Sequence, residues 1–295
     1  MHSVALRSYA ASAIFCLASL LPQSPKASPS NEHVWLAVEE QPRGQLRAEP
    51  IATVDENGLT PIQTSCLSDE RAPEDFAADF LQQGRKYALL YGGANAGEGV
   101  LGEEFRGEHA ARLAYDGPVK IHGQVRALAT NMDSSDFRVA SRETATSEQR
   151  TAALTLAREI FGEHGVPEAL LPRVRAEYVA RTYLSPAPQP SLIGSFLLDT
   201  ENDQGLVHGL FFVASQPAEK LRPELVWIHL SENESDEELL RLVDHADLFG
   251  NGQDEVVAKL ISVATQSHRY LIFRRSNDGA HWEQIFRTEP LGCYS

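Results

Sequence analysis

The chain has 295 residues, and its 41 acidic against 26 basic side chains give a formal net charge of −15 at pH 7. A surface of that sign repels nucleic acid and anionic lipid, and no basic stripe offsets it. The length suits one large domain or two modest ones.

Residues 1–27 read as a signal peptide. Arg7 supplies a short positive start, an apolar run over 10–21 contains Ile14, Phe15, Leu17 and Leu20, and Pro22 ends it before small residues up to Ala27. About a dozen apolar residues are too few to span a bilayer, which takes roughly 20. Phe15 precedes Cys16 where a lipid anchor needs a small residue. No later segment has the length and apolarity of a membrane span. The expectation is an exported protein, periplasmic or extracellular. Losing Arg7 and Lys26 but no acid would leave a charge of about −17. In an oxidising compartment Cys66 and Cys293 can form one disulfide, the alternative being two free thiols.

Residues 28–50, rich in Pro, Ser, Gln and Glu, read as a tether or irregular lead-in, with room for one strand over 33–38. Pro73, Glu74 and Asp75 open a short helix that stops at Gly84. A strand follows over 86–91. The glycines of 92–99 suggest a phosphate loop, but no Gly-Lys-Ser/Thr ending and no periodic helix follow. They suit a tight β connection instead. Another strand is expected over 119–130 and a polar loop over 131–148.

The clearest helix spans 147–163, where Ala152, Leu156, Glu159 and Ile160, widened by Leu154, Ala157 and Phe161, form a stripe ending near Gly162 and Gly165. Over 173–184 the pattern alternates, with Val174, Ala176, Tyr178, Ala180, Thr182 and Leu184 on one face. From Ser191 onward short strands separated by turns read as a β meander, over 192–198, 206–214, 225–230, 255–264, 270–274 and 282–286. Asn277-Asp278-Gly279 is a hairpin turn. The segment 236–246 stays open between a helix, favoured by the Ser235 to Glu238 capping spacing, and a strand, favoured by the meander.

No spacing selects catalytic residues. The histidines are scattered without a His-Glu-x-x-His pair, and Ser195 lacks the Gly-x-Ser-x-Gly setting of a nucleophile elbow. Asp244, His245 and Asp247 bring imidazole and carboxylates together, more simply as a structural hydrogen bond than as a base or metal site.

The stretch 247–255, with Asp247, Gly250, Asn251, Gly252 and Glu255, runs into Val256-Val257, then Tyr270 to Arg274, then Trp282. In this order it resembles a single unit of the FG-GAP or VCBS type, and with the Gly292-Cys293 end it is similar to exported bacterial proteins. The resemblance covers roughly 45 residues and implies a propeller-blade-like unit at 247–286. It also implies calcium held by Asp247, Asn251 and Glu255 with the Gln253 carbonyl. Phe249 departs from that pattern, standing where another oxygen ligand belongs, so the loop also fits an Asx-bonded turn without metal.

The fold class read from these elements is α+β, predominantly antiparallel β, with a C-terminal β meander containing the blade-like unit and few helices. A β-rich N-terminal region with one short helix covers 28–145, and an α+β region covers 146–295. The function expected is that of a non-catalytic exported binding or structural protein with a protein or glycan ligand. The alternatives are a secreted hydrolase with an unrecognised active site and a calcium-dependent adhesion component.

Overall fold

The computed structural model describes residues 32–42, 44–62, 78–105, 110–117, 126–133, 137, 142–187, 189–200, 206–215, 220–276, 279 and 281–291. The signal segment, Cys66, Cys293, the start of the 73–84 helix, most of the 131–141 loop and the turn residues Asn277 and Asp278 lie outside them.

The first sheet contains β1 (His33–Gln41), β2 (Gln45–Asp55), β3 (Gly58–Pro61), β4 (Lys86–Tyr91), β5 (Ala94–Phe105), β6 (Ala110–Tyr115) and β7 (Arg126–Thr130). Its order is β1-β7-β4-β5-β6-β2-β3, and β1 also pairs with β2, so six antiparallel strands close into a ring. Closure removes the free edges that an open sheet would expose. Side chains from all six strands, among them Val34, Leu36, Ala48, Leu89, Leu101 and Ala129, share one core inside the ring. Phe80 joins that core, and its carbonyl accepts a hydrogen bond from the Tyr87 hydroxyl at 2.5 Å.

This barrel corrects the reading of 28–50 as a tether. Residues 33–41 and 45–50 are strand, and Val34 to Val38 are all buried. An unbroken apolar run marks a strand covered on both faces. Val34, Leu36 and Val38 point into the barrel, while Trp35 and Ala37 join a core outside it.

The second sheet runs β12-β11-β10-β9-β8, made of β8 (Glu143–Thr144), β9 (Arg175–Thr182), β10 (Ser191–Asp199), β11 (Val207–Ser215) and β12 (Arg222–His229). Helix α1 (Ser147–Glu163) lies on one face. It starts where the sequence places it because Thr146 and Gln149 form a capping box, each side chain accepting the other's backbone N–H. Ala153, Leu156, Ala157, Ile160 and Phe161 are its buried residues. Glu159, read as part of the stripe, is exposed and pairs with Lys220. In β9 the expected single buried face is also corrected: Ala176 is exposed, and Val179 packs toward α1 while Tyr178 packs the other way.

The third sheet is a sequential antiparallel meander, β13 (Glu238–Ala246), β14 (Glu255–Ser262), β15 (His268–Arg275) and β16 (Trp282–Arg287). The open question over 236–246 is settled for strand. Asn233 caps only one 3-10 turn at Glu234–Asp236, and Leu239, Leu240, Leu242 and Val243 are then all buried. Leu240, Val256, Leu271 and Phe273 pack with Ile193 and Phe211 of the second sheet. Val243, Val257, Tyr270 and Ile272 pack with Trp35, Ile51 and Leu128 on the outside of the barrel. The third sheet is therefore the middle layer. The seam expected at 145/146 falls inside the second sheet, just after β8; barrel and second sheet both pack on the third, and Glu32–Ser295 cluster as one unit. The architecture is a mixed α+β fold, mostly antiparallel sheet, with open C-terminal meanders.

Candidate functional site

The four residues read as a calcium set do lie together at the turn between β13 and β14, and the side-chain oxygens of Asp247, Asn251 and Glu255 are engaged by the chain itself. Asp247 accepts the N–H groups of Asn251 at 2.9 Å and Gly252 at 2.5 Å, and Asn251 Oδ1 accepts that of Gln253 at 3.0 Å. Gln253 Nε2 donates to the Arg275 carbonyl at 2.7 Å. Glu255 is fully buried; one of its oxygens accepts the Leu248 N–H at 2.9 Å and the other accepts Arg274 Nε at 2.8 Å. The Arg274 guanidinium lies 3.9 Å over the Phe249 ring. Phe249 thus supports the arginine that supplies the positive charge facing Glu255. Burial, opposed by Arg274 and the Leu248 N–H, pushes the Glu255 pKa up to about 7.

This donor set fits a hydrogen-bonded turn better than a cation cage. Among the described residues no three His, Cys, Asp or Glu side chains group to hold a metal ion. Asp247→Ala is expected to lower stability by about 1 kcal/mol through its two lost hydrogen bonds. Chemical denaturation with calcium and with chelator checks this. A loss confined to the calcium sample would assign the loop to metal.

The strongest catalytic-looking constellation lies where the three sheets meet. His245, at the end of β13, is fully buried. Its Nδ1 donates to Asp254 at 2.9 Å, and its Nε2 accepts the Thr182 hydroxyl at 2.5 Å. Asp254 also accepts the Ser185 N–H at 3.0 Å. Hydroxyl, imidazole and carboxylate stand in the order of nucleophile, base and orienter. Beside them Asp244 accepts the N–H groups of Gly92 at 2.8 Å and His245 at 2.9 Å, and lies 3.5 Å from Arg142. Burial raises the Asp244 pKa against the pull of Arg142 and those two N–H groups. Arg142 sits over the rings of Tyr91 at 4.3 Å and Tyr178 at 5.6 Å.

The hairpin joining β4 and β5 seals this cluster, which gives the Gly92-Gly93 turn its purpose. Both glycines have positive φ, 66° and 69°. A Cβ on Gly92 would lie 2.0 Å from the Arg142 backbone nitrogen, and one on Gly93 would lie 2.6 Å from the His245 ring. The sequence suggested a tight β connection here, and the structure adds the reason for glycine at both positions. Thr182 and His245 have no exposed surface and Asp254 has 2%. Closed off from solvent, the cluster joins the three layers as a polar lock. Asp247 lies in the loop that follows β13, where it accepts the Asn251 and Gly252 N–H groups rather than joining Asp244 and His245.

A second polar cluster reaches solvent. Between the β1–β2 hairpin and strands β14 and β15 lies a cleft of about 250 Å³, lined by Glu39, Gln41, Arg47, Lys259, Gln266 and His268, among others. Ser267 and His268 also line a neighbouring cleft of about 170 Å³. Glu39 accepts Lys259 Nζ at 2.8 Å and lies 3.4 Å from Arg126 Nε. Glu49 accepts the Tyr270 hydroxyl at 2.6 Å and His268 Nε2 at 2.7 Å, and pairs with Arg47 at 3.1 Å. Burial works against both carboxylates. His268, Lys259 and Arg47 outweigh it at Glu49 and hold that group well below the usual range; Lys259 and Arg126 do the same, less strongly, at Glu39. Burial and the two glutamates keep Tyr270 well above its ordinary pKa.

The remaining candidates separate. Ser195 is buried, and its hydroxyl has no hydrogen-bond partner among the described residues. His229 bonds the Asp236 carbonyl, His208 accepts the Ser231 N–H, and His164 bonds the Ile160 carbonyl, all local braces. Cys66 and Cys293 lie outside the described residues. No protein-family model, no curated protein and no solved structure matches the chain.

Sequence reading missed the Glu39, Glu49, Lys259 and His268 group. One signal was present: Glu49 interrupts the run Ala48 to Val54, which is otherwise apolar apart from Thr53. A carboxylate inside a buried strand requires a partner.

Proposed function

We propose that the chain is a non-catalytic, exported binding protein, with the β13–β16 meander as a single blade-like unit of the FG-GAP or VCBS kind. The observation that carries the first part is the sealing of Thr182, His245 and Asp254. The residues best ordered for catalysis are held away from solvent, while the polar group that reaches solvent has its carboxylates tied in ion pairs. In support of the blade, β14 opens with Glu255 after the Asp247 loop, Tyr270 lies on β15 and Trp282 opens β16. Export rests on residues 1–27, and the acidity excludes nucleic acid as the favoured partner. Among the described residues no helix is long and apolar enough to cross a membrane.

A hydrolase is the second reading, favoured by His268. Its Nε2 is oriented by Glu49, and its ring lines both clefts. One screen separates the two. The exported protein, expected to begin at Ser28, is assayed against ester, peptide, phosphate and glycoside substrates. The binding reading expects turnover no different from a His268→Asn variant. Turnover that persists through purification and disappears in that variant establishes the hydrolase instead.

A further inference from the structure

The cleft between barrel and central sheet has a floor and a rim of different character. On the floor the charges are matched: Lys259 is bonded to Glu39, and Glu49 to His268, Tyr270 and Arg47. On the rim stand Gln41 and Gln266, whose carboxamides make no side-chain hydrogen bond among the described residues. Each carboxamide carries two N–H donors and one accepting oxygen. Gln266 is also the one non-glycine among the described residues with positive φ, at 51°, a conformation uncommon for a side-chain-bearing residue. The turn therefore holds this side chain at the lip of the cleft.

We propose that this cleft binds one neutral, polyhydroxylated ring, the terminal sugar residue of a glycan. The inference rests on the binding-protein reading and names its ligand class. Matched ion pairs disfavour a charged ligand, because an added anion or cation must compete with a partner already in place. Lys259 lines the cleft with N–H groups beyond the one it gives Glu39, and the two carboxamides complete a wall that both donates and accepts. A hydroxyl also does both, so a ring carrying several can satisfy such a wall without disturbing the ion pairs. The volume of about 250 Å³ lies below the usual range for drug-sized ligands and suits a single ring. Among the described residues the cleft's lining contains no Phe, Tyr or Trp, and its one ring, His268, is held by Glu49, so hydrogen bonding rather than stacking carries the binding. For about a dozen heavy atoms the dissociation constant should be on the order of 1 mM.

The test titrates the full exported protein with D-glucose, D-galactose and D-mannose, and with glucuronate and glucosamine as charged counterparts, by saturation-transfer NMR. At least one neutral hexose is expected to bind, with affinity reduced about tenfold or more in the Gln41→Ala/Gln266→Ala double variant. Both substitutions lie on the rim and leave the ion pairs intact, and the variant's unfolding midpoint confirms its fold. Silence from all three hexoses at about 50 mM, binding only of the charged sugars, or binding unchanged in the double variant overturns the proposal. These results leave the non-catalytic reading standing. Hydrolysis of a bound glycoside, lost in His268→Asn, overturns that reading and leaves the sugar assignment in place.

Discussion

Replacing His245 with alanine is expected to lower the unfolding free energy by about 3 kcal/mol, through the loss of two buried hydrogen bonds and the cavity left by the ring. The imidazole joins Thr182 of the second sheet to Asp254 beside the third, against a hairpin of the barrel. Its removal leaves Asp254 with fewer donors in a site water does not reach, and opens a void where the ring packed. Thr182→Val keeps the shape and removes one hydrogen bond, so about 1–2 kcal/mol is expected. Urea denaturation of the two single variants and the double variant measures the coupling, which should exceed about 0.5 kcal/mol for residues sharing a bond. A cost below about 1 kcal/mol for His245→Ala would show that the three layers hold together without the lock.

The second large effect is a dependence on pH set by Glu255. Its folded pKa of about 7 lies above the ordinary carboxylate value of 4.5. Burial favours the acid, the Arg274 and Leu248 donors favour the carboxylate, and burial wins. The folded state then holds a proton that the unfolded chain releases. The stabilisation is complete below the unfolded pKa and is lost as pH rises through about 7, by up to about 3 kcal/mol. Glu39 and Glu49 act in the opposite sense: their depressed values stabilise the fold above the ordinary carboxylate range, and acidification removes that contribution. Maximal stability should therefore fall on the mildly acid side of neutrality. Denaturation midpoints from pH 5 to 8 should decline for the native chain and less steeply for Glu255→Gln, in which the raised Asp244 carboxyl remains. A decline unchanged in that variant would place the titrating group elsewhere.

Legibility in the sequence followed the distance over which each feature is encoded. Helix α1 and the meander strands are local patterns, and their positions were readable from spacing and caps. Barrel closure is not local, because β1 meets β7 only after some ninety intervening residues, with Trp35 opposite Thr130. The lead-in was misread for a related reason. Its composition averages polar residues with Val34 to Val38, and the average hides a strand buried on both faces. The Asp247 loop was found as a turn because its acids and glycines are consecutive. The cleft was hidden because its pairs are remote: Glu39 with Lys259 at a separation of 220 residues, Glu49 with His268 at 219.

The position of the β13–β16 sheet has a consequence for how the chain comes together. It is the middle layer and, of the three sheets, the last in chain order. The barrel strands and the second sheet can each form beforehand, but the faces bearing Trp35 and Ile51 on one and Ile193 and Phe211 on the other wait for residues 238–287. A chain crossing a membrane from its N-terminus would present both apolar faces before the part that covers them emerges. Those two faces would stay uncovered until the C-terminal layer is made, and exposed apolar surface of that kind favours aggregation.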